Sequence, residues 1–294
     1  MKKILAFLFI TIFLSFSAQE NLEWLKLKKY QIAVLPDSLD ENSTLDFFRG
    51  RLFTINDSGG TSEIFEIDKK SGKLKNKFQT NLKNEDWEAM TSDSANFYVG
   101  EFGNNLGSRK NLKVYKIPFD SIEKSRKFSN AQEIPFYYPE QNDYTKRNTN
   151  NDFDAEAMIF LNGKIHLFTK EWVSKKTTHY IIDPEISENQ AALKVETFQT
   201  DYVVTDAAYF KEKLYLIGYT KKGDVFLTIF KESESGIFFT EKPKKYYLGN
   251  AISIGQIEGI SVDEEGIYIS GEEFKTPLGK VKQPLYFVPK KKVQ

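Results

Sequence analysis

Five positions stand at the same point of a recurring phrase and could act together: Ser43, Glu88, Glu156, Thr205 and Glu258, with Asp206 beside Thr205. Carboxylates brought close together repel, which raises their pKa values unless a cation or hydrogen-bond donors compensate. No Lys or Arg falls at an equivalent position. A hard divalent ion taking several oxygens at ~2.3–2.6 Å fits such a ring, and calcium tolerates irregular geometry and high coordination better than magnesium. Calcium is therefore the expected cofactor, with Ser43, Glu88, Glu156, Thr205, Asp206 and Glu258 as expected ligands. The competing reading is that each acid caps backbone N–H groups of the next repeat and acts as glue.

A second group lies where strands turn back. Asn56-Asp57-Ser58-Gly59-Gly60 reads first as a turn, because Asn, Asp and Gly supply the backbone angles a turn needs. Asp57 would open onto the face of the ring, as a base or a second ligand. Asn104, Arg109 and Lys170 end the equivalent strands of later repeats and could hold an anionic group, although basic rim residues are often merely solvated. Gly103 to Lys110 lacks the ending of a phosphate-binding loop. Only His166 and His179 occur, both inside strand patterns, so a His-ligated zinc or a Ser-His-Asp triad is not expected.

The elements that must position these residues form a repeat of about fifty residues: an acidic or polar cluster, an apolar stretch, a turn, then alternating strands. The copies begin near Ser43, Glu88, Glu156, Thr205 and Glu258, and most continue into four short strands. Four antiparallel strands that bury their faces only against neighbours are the unit of a β-propeller. The chain thus reads as all-β, a five-bladed propeller over residues 28–294, with six blades as the alternative. Gln141 to Asp152 shows no apolar period and reads as an exposed loop, which leaves no room for a sixth blade. The fifth copy lacks its own fourth strand, and Tyr30 to Leu35 would supply it and close the ring.

Composition narrows the function classes. The 294 residues carry 41 basic and 41 acidic side chains, so no general field draws nucleic acid. Without cysteine there is no disulfide, thiolate nucleophile or Cys-ligated zinc. Met1-Lys2-Lys3, the apolar run from Ile4 to Phe16 and Ser17-Ala18-Gln19 read as a secretory signal peptide over residues 1–19. The run is too short to span a ~30 Å hydrocarbon core, so a secreted or periplasmic monomer without a membrane span is expected.

The order hydroxyl, carboxylate, carboxylate, hydroxyl, carboxylate resembles that of the calcium-activated nucleotidase (apyrase) family, five-bladed propellers with a central calcium. Gly50-Arg51-Leu52 through Asn56-Asp57-Ser58-Gly59 is similar to its G-K-L and D-D-R-T-G, Tyr98-Val99-Gly100 with Gly103 to its Y-V-G-x-x-G, and Ile257-Glu258-Gly259-Ile260 to its Y-E-G-I. The likeness implies calcium ligands at Ser43, Glu88, Glu156, Thr205 and Glu258. It departs at Ser58 and Asn104, where the family has cations that would hold a nucleotide's phosphates. Asp86-Trp87-Glu88-Ala89-Met90 and Gly103-Asn104-Asn105 also resemble uncharacterised secreted bacterial propellers of phytase-like esterase or SdiA-regulated style. Two functions are expected on these grounds: recognition of a small anionic ligand or a protein or glycan surface component, or calcium-dependent hydrolysis of phosphate esters or anhydrides.

Overall fold

The computed structural model describes residues 22–59, 61–125, 127–128, 131–276 and 279–293. The signal peptide expected over 1–19 lies outside the described residues. Five sheets of four or five strands, each with the first strand of its repeat innermost, form a five-bladed propeller. The innermost strands are Asp46–Phe48, Trp87–Ser92, Ala155–Leu161, Val203–Tyr209 and Gln256–Val262. Residues 141–152 contain no strand, so the sixth blade does not arise.

Blades cohere because each alternating strand presents apolar residues to both neighbours. Five separate clusters result, one at each blade junction. Phe53 and Ile64 of blade one meet Trp87 and Phe97 of blade two, for example, and Leu52 and Phe65 meet Tyr268 and Leu285 across the closing seam. Trp87 is fully buried there as interblade packing.

Closure uses the N-terminal strand as expected. Gln31–Val34 pairs antiparallel with Pro284–Pro289 and becomes the outer strand of blade five. The sheets also recruit strands that the repeat does not announce. Leu22–Trp24, ahead of the expected boundary at 28, adds in parallel to the edge of blade four. Lys127–Phe128 does the same for blade one and Gln190–Ala191 for blade two. In each case the connection into the next blade's outer strand covers an edge that would otherwise present unpaired backbone groups.

The feature that places the site is a bulge repeated around the axis. Register slips by one residue between Trp87 and Ala89, Ala155 and Ala157, Val204 and Asp206, and Ile257 and Gly259. The extra residue is Glu88, Glu156, Thr205 or Glu258 in turn. Blade one has the same surplus: three residues separate Asn42 from Asp46, while two separate their partners Asn56 and Phe53. A bulge bends the strand and re-aims the surplus side chain, so the ring positions are set by a break in pairing rather than by strand alternation.

Candidate functional site

The residues of the ring divide into two uses. The hydroxyls tie blades together: Ser43 Oγ donates to the carbonyl of Glu88 at 2.6 Å, and Thr205 Oγ1 to that of Ile257 at 2.9 Å. Asp206 is an interblade plug. One of its oxygens accepts from Thr44 Oγ1 and the N–H groups of Leu45 and Ile260, at 3.1, 3.3 and 2.7 Å, and the other from the N–H of Ala207 at 2.8 Å. Its carboxyl thus joins blades one, four and five, which is the glue role. Burial still pushes its pKa well above the usual carboxylate range, against those four donors.

The acids gather at the mouth where the inner strands begin. Asp57, Asp86 and Glu88 each offer an oxygen within 4.8 Å of the others. Glu88 is buried, its Oε1 accepts no hydrogen bond among the described residues, and Asp57 and Asp86 are half-buried beside it. Burial, then the neighbouring Glu156, Asp57 and Asp86, raises Glu88 far above its ordinary value. Burial and Asp57 lift Asp86 to about 6, and burial lifts Asp57 as well. Glu156 and Glu258, both buried, and the half-buried Glu272 lie nearby and are raised for the same first reason, and Asp154 is raised to about 7.

Local structure holds this cluster in place. The Asp57 N–H donates to the Glu41 carbonyl at 3.0 Å, and Asn84 Nδ2 donates to the carbonyls of Asn56 and Asp57. Gly103 lies against the acids so closely that a Cβ there would overlap Glu88 Oε1 and the Asp86 carboxylate. The backbone has been kept bare at the point where three carboxyls converge.

Lys170 corrects two expectations. Expected at the rim as an anion holder beside a ring free of cations, it is instead buried, with Nζ 2.7 Å from Glu156 Oε2. Burial by itself would depress this ammonium, but Glu156, Tyr219, Glu258 and Glu88 outweigh it and hold the pKa well above normal. The other expected anion holders are also committed. Arg109 pairs with Glu101 at 2.6 Å, donates to the Gly103 carbonyl at 2.8 Å and lies 3.8 Å from Asp86. Asn104 is buried, donating to the Phe153 carbonyl and accepting from the Arg109 N–H.

Asp86 was not singled out as a candidate ligand in the sequence, although the signal is present. Asp86 and Glu88, and likewise Asp154 and Glu156, are two apart. Beside the acids lies a cavity of about 860 Å³ lined by Trp172, Tyr219, Lys221, Ile252, Gln256 and Phe274 among others. Tyr219 Oη and Gln256 Nε2 both donate to Glu258 Oε1, at 3.1 and 2.8 Å, so the cavity wall and the acidic mouth are continuous.

No protein-family model matches the chain, and no curated protein sequence matches it. Solved structures do align with it. A hypothetical protein from Leishmania major is 10% identical, over 88% of this chain and 90% of that one, with a TM-score of 0.49. A "putative 6-phosphogluconolactonase" from Bacteroides uniformis is 10% identical, over 88% and 72%, with a TM-score of 0.39. Hydrazine synthase of Kuenenia stuttgartiensis is 13% identical, over 83% and 59%, with a TM-score of 0.40. Such likenesses leave function to the chemistry of the site.

Proposed function

We propose that this chain is an exported recognition propeller that binds calcium at Asp57, Asp86 and Glu88 and uses the adjoining rim cavity to hold its ligand. The observation that carries the reading is the buried Glu88, which offers an oxygen within 4.8 Å of oxygens of Asp57 and Asp86, whose Oε1 has no hydrogen-bond partner among the described residues, and which lies beside a glycine whose Cβ would fill the space. Buried carboxyls that lack donors favour a bound cation, and an all-oxygen donor set suits calcium. Glu156 and Glu258 lie close enough to add to the negative field, which Lys170 partly neutralises. Bound calcium would supply a positive charge at the rim and hence attraction for an anionic group of the ligand.

Recognition is favoured over hydrolysis of phosphate esters or anhydrides because Arg109 and Lys170, the cations nearest the acids, are already paired within the fold. A phosphoryl transfer site places free cations on the transferring group. The test is thermal unfolding of the purified protein in excess EDTA and after calcium is restored. A ligand selective for the folded state raises Tm by mass action, so calcium should give a rise of several degrees that is lost in Glu88→Gln. An unchanged Tm in metal-free protein removes the calcium site, and calcium-dependent turnover of nucleotides or phytate replaces recognition with catalysis.

A further inference from the structure

The opposite mouth of the channel holds a second cavity. Its lining includes Phe47 of blade one, Ser92 of blade two, Phe160 of blade three, Phe210 of blade four and Asp263 of blade five. These are the trailing ends of the inner strands and the residues just after them, whereas the acidic cluster sits at their leading ends. The cavity measures about 390 Å³, and its lining includes Leu45 and Ala207, whose N–H groups are held by the Asp206 plug. Residues bonded to the Asp206 plug thus form part of the cavity wall, and this cavity shares no lining residue with the one beside the acids.

The charges of this second mouth do not cancel. Lys69 pairs with Asp263 at 2.7 Å and with Glu265 at 3.2 Å, and Lys211 and Lys290 pair with Glu264 at 2.6 and 3.7 Å. That matches three carboxylates with three ammoniums and leaves Asp46. The one side-chain partner of Asp46 among the described residues is the hydroxyl of Ser92, which donates at 2.6 Å; no ammonium or guanidinium among them pairs with it. Burial lifts this carboxyl to about 7, as expected for an acid that lacks a counter-charge.

Around Asp46 the walls are aromatic. Phe160 is fixed by stacking on Tyr98 at 5.1 Å between centroids, and Phe47 is held edge-on to Tyr268 at 5.2 Å. Ring faces in this mouth already receive cations: Lys69 Nζ lies 5.7 Å from the Phe47 centroid, and Lys211 Nζ 5.4 Å from that of Phe210. A cavity with aromatic walls and one carboxylate that lacks a counter-charge among the described residues has the composition of a site for a methylated ammonium ion, which gains from ring quadrupoles and needs no hydrogen-bond acceptor of its own. We propose that this mouth binds a small organic cation of the quaternary ammonium class, with Asp46 as counter-charge and Phe47 and Phe160 as ring walls.

The probe is choline, titrated calorimetrically into the purified protein, with 3,3-dimethylbutanol as its uncharged isostere. Saturable binding of choline but not of the alcohol is expected. Affinity should fall by about tenfold or more in Asp46→Asn, which keeps an oxygen for Ser92 but removes the charge, and also in Phe160→Leu, which keeps apolar bulk but removes the ring. Nuclear Overhauser contacts from the trimethylammonium protons to aromatic ring protons read the same site in the unsubstituted chain, should either variant fold poorly. Absence of choline binding, equal binding of the alcohol, binding undiminished in Asp46→Asn, or bound choline without aromatic contacts would each overturn the proposal.

Discussion

Glu88 and His166 show how the same burial acts oppositely on an acid and a base. Burial makes the charged form of Glu88 costly and raises its pKa. His166 is held down at about 4 by burial and by His179, whose Nε2 lies 2.8 Å from His166 Nδ1. His179 in turn meets Glu196 at 3.1 Å, and that carboxylate accepts the N–H groups of Phe238 and Phe239. The sign of the pH effect follows. Below the ordinary value of ~6.5 the unfolded chain takes up a proton that folded His166 refuses until about pH 4, so stability is full above that window and falls through it on acidification. On the order of 3 kcal/mol is at stake for this group. Urea unfolding at pH 7 and pH 4.5 should show a smaller acid loss in His166→Phe than in the wild type; an equal loss would assign the acid limb to other groups.

The inner strand with its single bulge is the element on which the candidate site depends. Alternation alone would send Trp87 and Ala89 to one face and Glu88 to the other; the surplus residue re-aims Glu88 toward the axis. The facing turn at Gly103 completes the arrangement, since its missing Cβ leaves room for the Glu88 and Asp86 carboxyls. Gly103→Ala should therefore reduce the calcium-dependent rise in Tm to near zero, while metal-free stability falls by about 1–3 kcal/mol from overpacking. A variant that keeps the full calcium response would show that the acids move aside freely and that the cradle is not needed.

At the scale of the whole ring, stability depends on a closure made by residues 250 or more positions apart in the chain, Gln31–Val34 with Pro284–Pro289. Leu35 and Leu39 follow that strand into the seam between blades five and one. Deleting residues up to Val34 removes the outer strand of blade five and the edge strand of blade four together. The expected result is a loss of at least ~3 kcal/mol, from several strand hydrogen bonds and the apolar contacts behind them, with association through the opened edge. Light scattering and thermal unfolding of the truncated chain check this; an equally stable monomer would mean that the ring closes without its N-terminal strand.

How much of this was legible in the sequence depends on the range of the interactions involved. Strand alternation, turn residues and the recurring acidic phrase are local, and they suffice for five blades, for the closing strand at Tyr30 to Leu35 and for equivalent ring positions at Ser43, Glu88, Glu156, Thr205 and Glu258. The partners of those ring residues are not local. Ser43 and Thr205 bond to the next blade, Asp206 gathers donors from three blades, and Lys170 turns inward to Glu156. A lysine at a strand end looks solvated in sequence because its long stem can reach either way; the surrounding carboxyls decide the direction. Asp86 joins Asp57 and Glu88 only when the bulge and the neighbouring blade bring them within reach. The sequence by itself determined the repeat and the kinds of side chain at the axis, because periodicity needs only near neighbours. The tertiary structure decided which of them are glue, which are paired and which are left for a ligand, because burial and charge balance are properties of the closed ring.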